Sequence, residues 1–266
     1  MSGPWSSAII PALAWMVLVF LMAPMLVVFP LSLADTPYLS LPRDGLSLAP
    51  WINLFTSAAW LASIGQSTII ALAATAVAVS SGTLCAIGCW RLASGLSAAV
   101  RGLMLLPMIV PTIVYALGLY RMYVDLHLLG SYGGVIIAHA VIGIPYVMIT
   151  VSASLANFDP RLEQAARNLG ASSAQTLRMV VLPNILPGII SGAIFAFVHS
   201  WDEIIIVLFI ASRRIVTLPR MIWNGIQESL DPTIAAVAAA LICLTILLLV
   251  PLLMLRRNEP VPTERY

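Results

Sequence analysis

The chain has 266 residues, of which 61% are hydrophobic and only 9% charged, with a formal net charge of +2 and a mean hydropathy of +1.00. No soluble domain can cover that much apolar surface with water-facing side chains, so the composition excludes a soluble globular protein and points to an integral membrane protein. All thirteen basic residues are arginine; a G-x-x-x-x-G-K-[ST] phosphate loop, which needs its lysine to reach the terminal phosphates, is therefore excluded, and the dispersed arginines form no run suited to nucleic acid.

A helix that crosses the hydrocarbon core needs about 20 apolar residues. Six runs qualify, near 9–33, 61–90, 103–120, 134–155, 185–211 and 234–255. They predict an all-α polytopic protein of six transmembrane helices in a single domain, 1–266. The first run lacks a basic flank and a small-residue cleavage site, so it reads as a retained helix, kinked at Pro11, Pro24 and Pro30. In the second, Cys85 and Cys89 share a face at i, i+4; with no third ligand beside them they read as small packing residues, as does Cys243. The third contains L-P-M-I-V-P-T-I-V, and Pro107 and Pro111 predict a bend, tolerated where the freed carbonyls are buried or wetted.

Between the fourth and fifth runs lies the segment 156–184, with the sequence NFDPRLEQAARNLGASSAQTLRMVVLPN from residue 157. It reads as two short helices. Asp159 is an N-cap with Pro160 at the first helical position, Leu162, Ala165, Ala166 and Leu169 recur on one face, and Gly170 ends the helix. Ser172 or Ser173 caps a second helix containing Leu177, which should stop before Pro183. By pattern alone the first helix is either a solvated linker or a docking element.

The fifth run carries His199, Trp201, Asp202 and Glu203. Its fifteen Ile, Leu, Val and Phe residues between 185 and 210 favour insertion by about 7 kcal/mol, and two central acids at about 3 kcal/mol each nearly cancel that. The acids must therefore face protein or water, either paired with arginine or drawing a cation into a path. Read as one helix, the run places them about 12 Å below the outer surface with side chains about 100° apart. His199 shares a face with Glu203 at i, i+4; it reads as a hydrogen-bonded packing residue or a proton relay, and two such ligands do not make a metal site. Trp201 can stack on a cation or on a neighbouring helix. Gly188 and Gly192 form a small-residue face for close packing. The segment 212–232, with Arg213, Arg214, Arg220, Trp223 and Glu228, is long enough for an interfacial helix.

Six crossings put both termini on one side. Placing them in the cytoplasm leaves Arg91, Arg101, Arg161, Arg167, Arg178, Arg256, Arg257 and Arg265 inside against five arginines outside, the direction the positive-inside bias requires.

Gln164-Ala165-Ala166, three residues, Gly170, nine residues, then Val180, Val181, Leu182 and Pro183 resembles the EAA loop, E-A-A-x3-G-x9-I-x-L-P, of bacterial ABC-importer permeases. The departures are Gln164 for Glu and Val180 for Ile; Glu163 supplies an acid one position away. The resemblance extends from the second run through TLPRMIWNGIQESLDPTIAAVAAALI, and is strongest to the spermidine/putrescine-type permeases. It implies the type I importer permease fold, located in the bacterial inner membrane, working with a second, homologous permease subunit, two ATPase subunits and an extracytoplasmic binding protein. ATP and magnesium would be held by the ATPase and no cofactor by this chain. The implied coupling segment is 156–184, with Glu163, Gln164, Ala165, Ala166, Gly170, Leu182 and Pro183 at the ATPase, and 212–232 would touch the binding protein. Thr112, His199, Trp201, Asp202 and Glu203 would lie along the substrate path. The resemblance makes a polyamine, spermidine or putrescine, the first choice of cargo; polyamine permeases of this type tend to carry an acid where Thr112 stands, so another small amine, an amino acid-like zwitterion, an organophosphonate or iron is the alternative.

A proton-coupled carrier would also place His and carboxylates in the membrane, and many such carriers have inverted repeats. No internal repeat is visible, and the loop motif has no use in a protein without an ATPase. The chain also lacks any Ser/His/Asp arrangement or metal cluster that would make it an enzyme.

Overall fold

The computed structural model describes residues 4–257 apart from Asp44 and Ala93; Arg265, counted above for orientation, lies outside them. Among the described residues all regular structure is helical: α1 (Pro4–Leu31), α2 (Ala49–Thr56), α3 (Ala58–Leu92), α4 (Gly95–Ile109), α5 (Thr112–Asp125), α6 (Tyr132–Ala156), α7 (Pro160–Asn168), α8 (Ser173–Thr176), a π-helical turn (Leu177–Val181), α9 (Leu182–Asp202), α10 (Ile205–Ile210), α11 (Leu218–Glu228) and α12 (Thr233–Arg257). Five stretches are long and apolar enough to cross a bilayer, and the pair α4 and α5 makes a sixth if counted as one bent span. The chain divides into two compact units, residues 1–61 with 222–266, and residues 62–221.

In the first unit α12 packs on α1 and α2. Side chains join its parts: Asn53 Nδ2 donates to Thr233 Oγ1 at 2.8 Å, and Trp51 Nε1 donates to Ser32 Oγ at 3.2 Å. The most apolar window of α1 has no buried residue.

The second unit is built around α6 and α9. Lipid removes the hydrophobic drive for helix association, so close backbone packing must supply the attraction. Glycine permits it: a β-carbon on Gly192 would sit 2.8 Å from Val147 Cα, and one on Gly188 would strike Ser154 Oγ. The core beside this contact takes Ala78, Ala86 and Ile87 from α3, Val147 and Val151 from α6, and Ile185 from α9. Cys89 is buried there and Cys85 packs against it. A second core gathers Leu119 and Tyr123 of α5, Val135 and Ala138 of α6, and Ile206 and Val207 of α10.

Three elements depart from the sequence reading. The bend predicted for the third run is present but sharp enough to divide it into two helices, α4 and α5, which meet at 105°. Pro107 lies inside α4, and the break falls at Val110–Pro111, where both residues have extended backbone. The fifth run is also broken, because Glu203 leaves helical geometry at φ −75°, ψ 119° and a separate six-residue α10 follows. Conversely, the helix begun at Ser173 does not stop before Pro183 but runs on to Asp202. The π turn widens the ring so that the Leu182 N–H reaches Leu177 O, five residues back, and Pro183, lacking an N–H, enters as an early residue of α9, where that loss is cheapest.

Candidate functional site

The segment 157–184 holds itself together through its own polar groups. Asp159 Oδ1 accepts the Arg161 N–H at 2.9 Å, and α7 follows over Pro160–Asn168 with no buried residue. Gly170 closes it at φ +89°, a left-handed value that glycine adopts without strain. Ser172 opens α8 with a capping box: its N–H donates to Gln175 Oε1 at 2.8 Å, and its Oγ accepts the Gln175 N–H at 3.3 Å. Gln164 and Ala165 are exposed and Ala166 is half-buried. Leu162, Leu169 and Met179 are exposed apolar groups, Leu169 to 89%. Glu163 turns the other way, with its side chain only 13% exposed, and Oε1 accepts from Arg167 at 2.8 Å and Arg91 at 3.3 Å. Leu182 packs on the first core, and Pro183 is exposed.

The second constellation sits where α4, α5, α6 and α9 meet. The bend at Val110–Pro111 opens a cavity of about 80 Å³, lined in part by Pro107, Thr112, Tyr115, Tyr146 and His199. That volume admits two or three waters or one ammonium group, not a whole multi-amine chain. Thr112 and His199, 87 positions apart by numbering, are thus brought together. The His199 ring lies 5.0 Å from that of Tyr146 at 47°, and Tyr115 Oη donates to Ala138 O at 3.1 Å.

The acids part company at the end of α9. Asp202, its last residue, is exposed and lies three residues on from His199, on the same helix face. Glu203 is buried and Oε1 accepts the Ile206 N–H at 3.1 Å, which satisfies one of the free donors at the start of α10. Because the helix ends there, the i, i+4 register of His199 does not reach Glu203. Neither acid is recorded in an ion pair among the described residues. Trp201 packs on Phe197, ring centroids 5.6 Å apart.

The sequence reading missed Tyr115, Tyr146 and His139. His139 is buried, with Nδ1 2.9 Å from Ser200 Oγ across the α6–α9 contact. An ionisable residue inside an apolar run was the available signal for His139; nothing in the sequence separates Tyr146 from an ordinary packing tyrosine. In the segment 212–232, α11 is the expected short helix. Its Arg220 donates from Nη1 to Ser212 O at 3.0 Å and Ile215 O at 2.9 Å, and burial pulls its pKa down.

Residues 78–260 match the family described as binding-protein-dependent transport system inner membrane component. The chain belongs to that family. This permease is 29% identical over 239 residues to the spermidine/putrescine transport system permease protein PotC of Haemophilus influenzae, covering 90% of this chain and 93% of the relative. It is 30% identical over 235 residues to the putrescine transport system permease protein PotI of Escherichia coli K12, covering 84% and 82%. Its fold matches a chain from the crystal structure of a bacterial ABC transporter that imports the acidic polysaccharide alginate, with TM-score 0.65 over 98% of this chain and 99% of that one, at 14% identity. The permease is therefore a multi-pass membrane protein with the ABC-importer permease fold.

Proposed function

We propose that this permease forms half of the translocation path for a small organic cation, with polyamines such as spermidine and putrescine first, in an ATP-driven importer. A second permease subunit completes the path, a binding protein delivers the cargo, and two ATPase subunits bind the ATP and magnesium. The whole chain acts as one permease domain in the inner membrane with both termini in the cytoplasm. The segment 156–184 then meets the ATPase through Gln164, Ala165, Ala166 and Pro183, while Glu163, held by Arg91 and Arg167, and Leu182, packed on the core, fix its shape and Gly170 turns the chain.

The observation that carries the cargo reading is Asp202, an exposed carboxylate at the end of α9, one turn from an aromatic-lined cavity, in a chain whose relatives carry polyamine names. An exposed acid at membrane depth is stable only where protein or water meets it, and there it attracts a cation. Tyr146 lines the cavity, where an aromatic ring can attract an ammonium group, and Trp201 lies one residue from Asp202. Glu203 supports the local backbone by accepting the Ile206 N–H.

A second reading rests on Thr112. The cavity contributes neutral groups and one imidazole, so a monoamine or an amino acid-like zwitterion suits it as well as a dication. The complex reconstituted in vesicles with its ATPase and binding protein separates the two through uptake of labelled putrescine, spermidine and amino acid-like amines. Asp202→Asn should raise the KM for the amine that is moved. Transport of no amine by an assembled, ATP-hydrolysing complex would end the cation reading.

A further inference from the structure

α3 is the longest helix, 35 residues, and contains no proline, whereas α1, α4, α6 and α9 each carry at least one. Its two ends are held by different parts of the second unit. At the C-terminal end, Trp90 meets Phe158 edge-on at 5.8 Å, immediately before α7, and Arg91 Nη2 reaches Glu163 within α7 at 3.3 Å. Since α7 has no buried residue of its own, these adjacent residues give it a firm seat on α3. Toward the other end, Gln66 Oε1 accepts the Val216 N–H and Ser67 Oγ accepts the Leu218 N–H, each at 2.8 Å. Arg220 ties the same strand of chain to itself at Ser212 and Ile215. From Ser67 to Arg91 a helix rises about 36 Å, the full thickness of a bilayer core.

We propose that α3 is a stiff strut joining α7 to the 212–218 segment, with Arg91 and Gln66 as the positioning residues at its two ends. The proposal rests on the reading of 156–184 as the ATPase-facing segment. A displacement of α7 reaches α9 through α8 and the π turn, where the backbone can yield. It reaches α3 through an ion pair and a ring contact onto a helix that has no proline, runs unbroken through Ser80–Ser81–Gly82, and packs there so closely on α6 that a β-carbon on Gly82 would sit 2.9 Å from Val147 Cβ. The Gln66 and Ser67 bonds pass that movement to the backbone of the opposite face. One rod would then relate the ATPase state to the shape of the far surface.

The test uses the assembled complex in vesicles and an Arg213→Cys reporter, since Arg213 is exposed. A membrane-impermeant maleimide is applied with and without magnesium ATP and vanadate, and modification of residue 213 is followed by peptide mass spectrometry. The parent should show a labelling rate that differs by about threefold or more between the two states, and Arg91→Gln and Gln66→Leu should each bring the ratio to about one. Arg91→Lys, which keeps the charge, should retain the response; its loss there would assign the effect to packing around Trp90 and overturn the role given to Arg91. A response that survives Gln66→Leu, or a parent with no response, overturns the strut. Gln66→Leu lies far from α7, so it tests the proposal even if Arg91→Gln fails to assemble. A parent chain that copurifies with no ATPase subunit ends the coupling-segment reading itself, whereas a surviving response in a copurified complex ends only the strut.

Discussion

The segment around α7 and the break between α9 and α10 both interrupt helices, yet they satisfy the freed backbone groups by opposite means. Around α7 the polar groups are numerous and local: Asp159, Ser172 and Gln175 each cap a neighbour in sequence, and Gly170 supplies the turn. At the α9–α10 break one buried carboxylate, Glu203, accepts the Ile206 N–H. Water can replace a lost partner in the first region, and the buried protein interior around Glu203 offers none in the second. The same kind of interruption is therefore redundant in one place and dependent on a single side chain in the other.

Replacing Glu203 should do the most damage. Glu203→Leu strands the Ile206 N–H, at about 1–3 kcal/mol, and should lower the unfolding midpoint in detergent and cut uptake about tenfold or more. Glu203→Gln keeps a carbonyl acceptor and should hold both near the parent. Equal damage from the two would show that the negative charge matters more than the cap, and the contrast drawn here would break.

Leu162→Asp comes next and sharpens the contrast by separating stability from function. Leu162 is 46% exposed, so the isolated chain should change by no more than about 0.5 kcal/mol. Copurification with the ATPase and uptake should nevertheless fall, by about fivefold, because a charge enters an apolar docking face. A parallel loss of thermal stability would place Leu162 inside the fold instead. A smaller effect is expected from Gly170→Ala, which forces an L-residue to φ +89° at about 1 kcal/mol; a modest drop in unfolding midpoint checks it. Ser172→Ala should be smallest, about 1 kcal/mol or less, since Thr176 and solvent still hold the start of α8. Loss of uptake as large as that from Glu203→Leu would show that the α7 region is not redundant.

Legibility followed the same division. The α7 segment was readable because each of its signals is local: Asp-Pro starts a helix, glycine stops it, and a serine restarts it. The membrane runs were readable because apolar length alone specifies a span. The break at Glu203 was not, since the stretch Ser200–Trp201–Asp202–Glu203–Ile204 contains neither glycine nor proline, and nothing local opposes a continuous helix. What opposes it is the burial of Ile206, Val207 and Ile210 against α5 and α6, which turns the chain. Pro183 misled in the other direction: a rule that ends helices before proline cannot anticipate a π turn that absorbs the missing donor. Tyr146 and Thr112 became neighbours only through the 105° bend between α4 and α5.

The sequence by itself determined that this is a helical membrane protein, roughly where it crosses, and that a capped amphipathic helix lies between the fourth and fifth runs. Those properties depend on hydropathy, charge and residues within a turn of one another. Tertiary structure alone decided which acid is exposed and which caps a helix, and which aromatic rings meet His199. It also decided how the ends of α3 are held. The ring contacts and the α3 anchors bring segments far apart in the chain within about 3–5 Å, the range of hydrogen bonds and ring contacts, and the Glu203 cap, though local, forms where α10 is buried against α5 and α6.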